Sequence, residues 1–334
     1  MISYAYDLAG HMNRSRFLLP IFFCGVILFG GCKKASGPLP TPDLSGRKLR
    51  VLATTGMIAD AAKAIAGDNA EVEALFDPGV DPHRYVPTPG DLTKLNKADL
   101  VLYNGLHLEG KMADIFSSRS KTKWTVGVAD HLTGLRSAEG GIEGNHDPHV
   151  WFDVQKWKQV TEKIRDSLRE IDPAHAEQYS ANAAEYLKRL DTLDDTVRTN
   201  IKLIPAEKRV LITAHDAFGY FGQAYGIEVK GLQGVSTATD TSSRDVSELA
   251  ELIGTRKIRA IFPESSVPDK GMQSVIQAVR QKYAGFEVTL AAEPLYSDAL
   301  GLPGSDADTY EKMVRHNVRV IVKSLTGESP PDLK

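Results

Sequence analysis

From residue 49 onward, two hydrophobic rhythms alternate along the chain. Short runs rich in aliphatic and β-branched residues read as strands at 49–55 (LRVLATT), 71–76 (EVEALF), 100–105 (LVLYNG) and 125–130 (TVGVAD). The second half repeats the pattern at 209–214 (RVLITA), 227–232 (IEVKGL), 258–264 (IRAIFPE) and 287–296 (EVTLAAEPLY). Between them, apolar positions recur at steps of three and four, predicting helices over 57–66, 89–98 and 110–118, then 217–225, 243–255, 271–283 and 307–325. Strands alternating with helices imply βαβ units and parallel sheets. Four strands on each side predict two similar α/β lobes.

The middle of the chain has a different rhythm. Residues 172–204 contain no glycine and one proline, and Ala176, Tyr179, Ala183, Tyr186, Leu190 and Leu193 fall on one helical face. Pro173 suits a first helical position, and Pro205 ends the pattern. At about 1.5 Å per residue such a helix is a rod of roughly 45 Å, a stiff connector between lobes. The expected division is therefore a lobe at 48–171, a linker helix at 172–204 and a lobe at 205–326.

Residues 1–31 read as a leader. Arg14 and Arg16 precede thirteen mostly apolar residues, 17–29, followed by Gly-Gly-Cys. A basic start, a short apolar stretch and small residues describe a secretory signal, and thirteen residues are short for a membrane-spanning helix. The run LFGGC resembles a bacterial lipobox, which makes Cys32 the expected lipidated first residue of the mature chain, although Phe29 stands where leucine is commonest. Residues 32–47, rich in Pro, Ser and Gly, read as a flexible tether. Removal of the leader takes Cys24 with it, so an internal disulfide is excluded and stability rests on the core. The formal net charge of −3 offers no basic excess for nucleic acid.

The candidate chemistry lies in loops beyond the strands. Asp-Pro-His occurs twice, at 81–83 and 147–149; His215 follows RVLITA, and Asp298 follows EVTLAAEPLY. In parallel α/β sheets, ligands bind beyond the carboxyl ends of the strands. Three imidazoles and a carboxylate make a four-coordinate set for a divalent metal, and proline before the first two histidines stiffens their loops. Asp81 and Asp147 are expected to tie the loops or orient an imidazole from behind. Glu264 is a further candidate at a strand end. His107 and His146 read as loop residues, and Trp151 as packing beside the site.

The motifs DPHRYVPTPGD, ADLVLYNGLHLE, DPHVWFD, TAHDAFGYFGQAYGIEVKGLQGVST, FPESSVPDK and YSDALG, in this order, resemble the metal-binding lipoproteins of bacterial ABC transporters. These are the cluster A-I or cluster 9 solute-binding proteins, of TroA, ZnuA and PsaA type; the chain is most similar to TroA-like members over about 48–325. The resemblance implies two Rossmann-like lobes with mostly parallel four-stranded sheets, joined by one long rigid helix. It implies His83, His149, His215 and Asp298 as ligands of a transported divalent metal; three imidazoles put zinc first and manganese second as that ion. Neither subtype fits fully: the third ligand is His215 where manganese-associated members typically carry glutamate, and 131–149 lacks the long His-rich run of zinc members. Val86 stands where glutamate is frequent. The implied partners are a permease with its ATPase, and a membrane reached through the lipid, for a monomer facing the periplasm or cell exterior. A zinc metallohydrolase using Glu264 as base, and a metal-stabilised adhesin, are the competing readings.

Overall fold

The structure, a computed structural model, describes residues 39–138 and 145–333. The leader, Cys32 and the first part of the tether lie outside the described residues. The first half runs β1 (Leu49–Ala53), α1 (Gly56–Ala66), β2 (Ala70–Ala74), α2 (Pro89–Lys97), β3 (Leu100–Tyr103), α3 (Ala113–Arg119) and β4 (Trp124–Gly127). Two helices follow, α4 (Val154–Ile171) and α5 (Ala176–Ile201). The second half contains β5 (Val210–His215), α6 (Gly219–Tyr225), β6 (Glu228–Gln233), α7 (Ser243–Arg256), β7 (Ala260–Ile261), α8 (Lys270–Lys282), β8 (Thr289–Leu290) and α9 (Tyr310–Thr326).

The first sheet is wholly parallel, in the order β2-β1-β3-β4. Its central strands β1 and β3 are apolar on both faces because helices cover both sides; Val51, Leu52, Leu100, Val101 and Leu102 are all buried. The second sheet is less regular than its sequence suggests. β5 pairs with β6 and β7 with β8, both parallel, and a bridge from Thr213 to Phe262 joins the pairs. β7 is only two residues long because Pro263 has no N–H to donate. Pairing resumes beyond it, where Glu264 bridges Leu295. The effective order, β6-β5-β7-β8, repeats that of the first sheet.

The segment expected as one helix over 172–204 is a short 3₁₀ turn, Pro173–His175, and then α5. α5 buries Tyr179, Ala183, Tyr186, Leu190, Leu193 and Val197, against α4, α1 and α9. It is thus a central core element as well as a connector. One apolar cluster reaches from Val51 in β1 through α4 and α5 to Ile321 in α9. A smaller cluster, including Ile212, Ile253 and Val279, lies between the second sheet and the α7–α8 pair. This shared core allows little relative movement where α1, α4, α5 and α9 meet.

Local signals place the loops that matter. Thr88 and Asp91 form a capping box at α2, with Pro89 at its first turn. The same Asp91 carboxylate accepts a 2.7 Å hydrogen bond from Tyr85, which anchors the loop carrying His83. Asp153, the last letter of DPHVWFD, caps α4 by accepting from the Gln155 N–H. Each Asp-Pro-His thus sits just before a well-capped helix.

Candidate metal centre

The repeated tripeptide is one device used twice. At 81–83 the Asp81 Oδ1 accepts the His83 backbone N–H at 2.9 Å, and at 147–149 the Asp147 Oδ1 accepts that of His149 at 3.0 Å. Each aspartate closes a turn over the intervening proline and presents the histidine in a fixed direction. The second carboxylate oxygen reaches elsewhere. Asp81 Oδ2 accepts from the Thr237 hydroxyl at 2.6 Å, tying the loop to the second half of the chain. Asp147 Oδ2 takes the Arg136 guanidinium at 2.6 Å. Arg136 passes over Gly219, where any β-carbon would collide with its guanidinium.

His215, the last residue of β5, is held differently. Its N–H donates to Glu264 Oε1 at 2.9 Å. Glu264 Oε2 lies 2.6 Å from His215 Nδ1 in an ionic contact too bent for a straight hydrogen bond. Glu264 therefore stands behind His215, favouring a proton on Nδ1 and leaving Nε2 to face inward. Both of its oxygens are turned to His215.

Four side chains converge. His83 Nε2 and His149 Nε2 are 3.2 Å apart, and His149 Nε2 and His215 Nε2 are 3.3 Å apart. Asp298 Oδ1 lies 3.4 Å from His149 Nε2, and its Oδ2 lies 3.3 Å from His215 Nε2 and 3.9 Å from His83 Nε2. A tetrahedral zinc site with ligand bonds of about 2.0–2.1 Å has ligand–ligand edges of about 3.3 Å. Four of these five separations match that edge. His149, His215 and Asp298 are at most 2 % exposed and His83 6 %. His83 stands in the wall of a cleft of 370 Å³, also lined by His107, His146, Gln233 and Asp240.

The four side chains perturb one another's charge. Burial disfavours charge on His149, yet the carboxylates of Asp147 and Asp298 outweigh it and hold the imidazole up at about 9. For His215, Glu264 and Asp298 likewise outweigh burial and raise it well above the ordinary value. Burial opposes the charge of Asp298, but His215 and His149 keep its carboxyl well below the usual range. His83, buried and with two imidazoles beside it, is pushed down to about 3.

The other candidates fall outside the centre. His107 is exposed, at a φ of 65° in a left-handed turn. His146 is exposed and pairs as a bridge with Ser137. Val86 points to solvent at 61 % exposure, and Trp151 is buried against the His149 ring. A second cluster, Glu293, Asp306 and His316, already contains a cation: Arg319 binds both Glu293 oxygens, at 2.9 and 2.8 Å, and Asp306 at 3.0 Å. Sequence reasoning gave no role to Arg136, or to Thr237 at the end of the motif over 213–237; they act across 11 and 156 residues.

Comparison with known proteins gives a consistent answer. The family profile described as "ZnuA: Zinc-uptake complex component A periplasmic" matches residues 51–324. The manganese-binding lipoprotein MntA of Bacillus subtilis is 44% identical over 279 residues, 84% of this chain and 90% of its own length. The zinc-binding protein TroA of Treponema pallidum is 46% identical over 275 residues, 82% of this chain and 88% of its own. A solved structure of the periplasmic zinc-binding protein TroA from Treponema pallidum superposes with a TM-score of 0.79 at 45% identity, covering 83% of this chain and 99% of that one. The chain belongs to the ZnuA family of metal-binding, solute-binding components of ABC transporters.

Proposed function

We propose that this protein captures a divalent transition metal outside the cell membrane and hands it to the permease and ATPase of an ABC transporter. We assign His83, His149, His215 and Asp298 as the ligands. The observation that carries the reading is the convergence of these four buried donors from both lobes, all within 4.8 Å of one another. Three imidazole nitrogens and one carboxylate favour zinc chemically, and zinc stands above manganese for nearly any such site. The relatives include proteins named for zinc and for manganese, so the cargo is the first property to measure.

Capture on this reading is an exchange of protons for a metal. The ion replaces the protons of His149 and His215, and Asp298 supplies negative charge that is already present. The shared core of α1, α4, α5 and α9 makes local loop movement the expected route of release. Lipidation at Cys32, a monomeric state and lobes bounded at 48–171 and 205–326 belong to the same proposal; among the described residues no helix is long and apolar enough to cross a membrane.

The test is metal analysis of protein from its native host, followed by competitive titration of zinc and manganese. One equivalent of metal per chain is expected. His215→Glu should move the zinc-to-manganese affinity ratio toward manganese, because an oxygen donor replaces an imidazole. An unchanged ratio would remove His215 from the site.

A further inference from the structure

Asp298, unlike His149 and His215, has no carboxylate behind its side chain to aim it. Its two carboxylate oxygens have no hydrogen-bond partner among the described residues; they face the imidazoles of His83, His149 and His215. Nothing behind the carboxylate fixes its direction. That direction must come from the backbone just before it.

The backbone is gripped from two sides. Asn317, on α9, accepts the Tyr296 N–H at 2.9 Å and donates to the Tyr296 carbonyl at 2.8 Å. One side-chain amide thus copies a strand partner for a single residue. At the next position, the Ser297 carbonyl accepts the indole N–H of Trp151 at 2.9 Å. Trp151 is itself fixed, since its carbonyl accepts the Tyr310 hydroxyl at 2.7 Å. Asn317 is 2 % exposed and Trp151 1 %. An asparagine buried within a helix is unfavourable unless its amide is fully bonded, and here both of its bonds go to the residue two before Asp298.

We infer that Asn317 and Trp151 are positioning residues for Asp298, setting how long a captured metal stays bound. The inference rests on Asp298 being a metal ligand. Without the grip on residues 296–297, the carboxylate samples more directions and leaves the ion more often. The dissociation rate then rises, while the association rate changes little. Trp151 lies two residues beyond His149, so its indole links the second Asp-Pro-His loop directly to the segment that delivers the carboxylate.

A double-mutant cycle on the full chain tests this with zinc ion alone as the ligand. Zinc affinity is read by chelator competition, and the dissociation rate by stopped flow, for the wild type, Asn317→Ala, Asp298→Ala and the double variant. Asn317→Ala is expected to weaken zinc by roughly 10–100-fold, the usual cost of losing an outer partner of a ligand. In the Asp298→Ala background the same change should cost nothing further. An equal loss in both backgrounds would make Asn317 a general structural residue and overturn the inference, as would unchanged affinity in Asn317→Ala. Undiminished zinc binding in Asp298→Ala would instead overturn the ligand assignment beneath it. Should Asn317→Ala fail to fold, Trp151→Phe removes only the indole donor and carries the same cycle with the same outcomes.

Discussion

The two halves of the centre are built by different means. In the first half, His83 and His149 are each aimed by an aspartate two residues earlier, within one tripeptide. In the second half, His215 is aimed by Glu264, 49 residues away, and the segment before Asp298 by Trp151, 146 residues from Ser297. The local device sets direction before the fold is complete, whereas the long-range one exists only in the folded protein. Loss of tertiary packing should therefore disorder the second pair first.

The same contrast extends to a pair of buried glutamates. Glu109 accepts the Thr54 hydroxyl at 2.6 Å and the Asn104 N–H at 2.7 Å, joining the ends of β1 and β3. Glu264 likewise joins the end of β5 to the segment after β7. The partner of Glu264 is an imidazole that can carry charge; that of Glu109 is a neutral hydroxyl. Glu109 is accordingly pushed up to about 7 by burial, which its hydrogen bonds only partly offset.

The largest effect that would sharpen the contrast lies within the first half. Asp147 faces the ring of its histidine as well as the backbone, at 2.8 Å from Nδ1, whereas Asp81 holds only the backbone N–H of His83. Asp147→Ala should therefore weaken zinc by about 100-fold and Asp81→Ala by nearer 10-fold, although the tripeptides are identical. Glu264→Ala should fall between them. Equal losses at 81 and 147, measured by the same competition titration, would mean that the turn alone matters.

A smaller effect comes from pH. His149, held at about 9, carries a proton at neutral pH that the metal must displace. Zinc affinity should climb as pH rises toward 9, by about tenfold per pH unit for each proton released. Calorimetry in buffers of different ionisation heat counts those protons directly. A flat profile between about pH 7 and 9, by the same linkage, would mean that His149 is already neutral in the metal-free protein.

The smallest concerns stability. Folded Glu109 keeps its proton up to about 7, whereas the unfolded side chain loses it near its ordinary value of 4.5. Between those values the folded state binds more protons, so this group's contribution is greatest below 4.5 and is lost as pH rises through 7. Glu109→Gln should flatten that decline, by no more than about 3 kcal/mol at the usual 1.36 kcal/mol per pKa unit. Urea midpoints of both proteins at pH 5 and pH 8 provide the check.

Legibility in the sequence followed the same division. The two Asp-Pro-His turns, the strand-end position of His215 and the caps at Thr88 and Asp153 are written in consecutive letters. The apolar face of α5 was equally plain, from Tyr179 to Leu193. The roles of Arg136, Thr237 and Asn317 were not legible, because each acts on a residue distant in sequence. Asn317 sits in RHNVRV, where it reads as one more polar position on a helix. Pro263 is visible in the sequence, but the two-residue length of β7 depends on which backbone groups its neighbours offer.

The most direct measurement is X-ray absorption at the zinc edge for the zinc-loaded protein and for His83→Ala, His149→Ala and His215→Ala. Three imidazoles and one carboxylate are predicted around the ion, with nitrogens at about 2.0–2.1 Å, and each substitution should remove one imidazole from the shell. A shell whose imidazole count is the same in all four proteins would contradict the account.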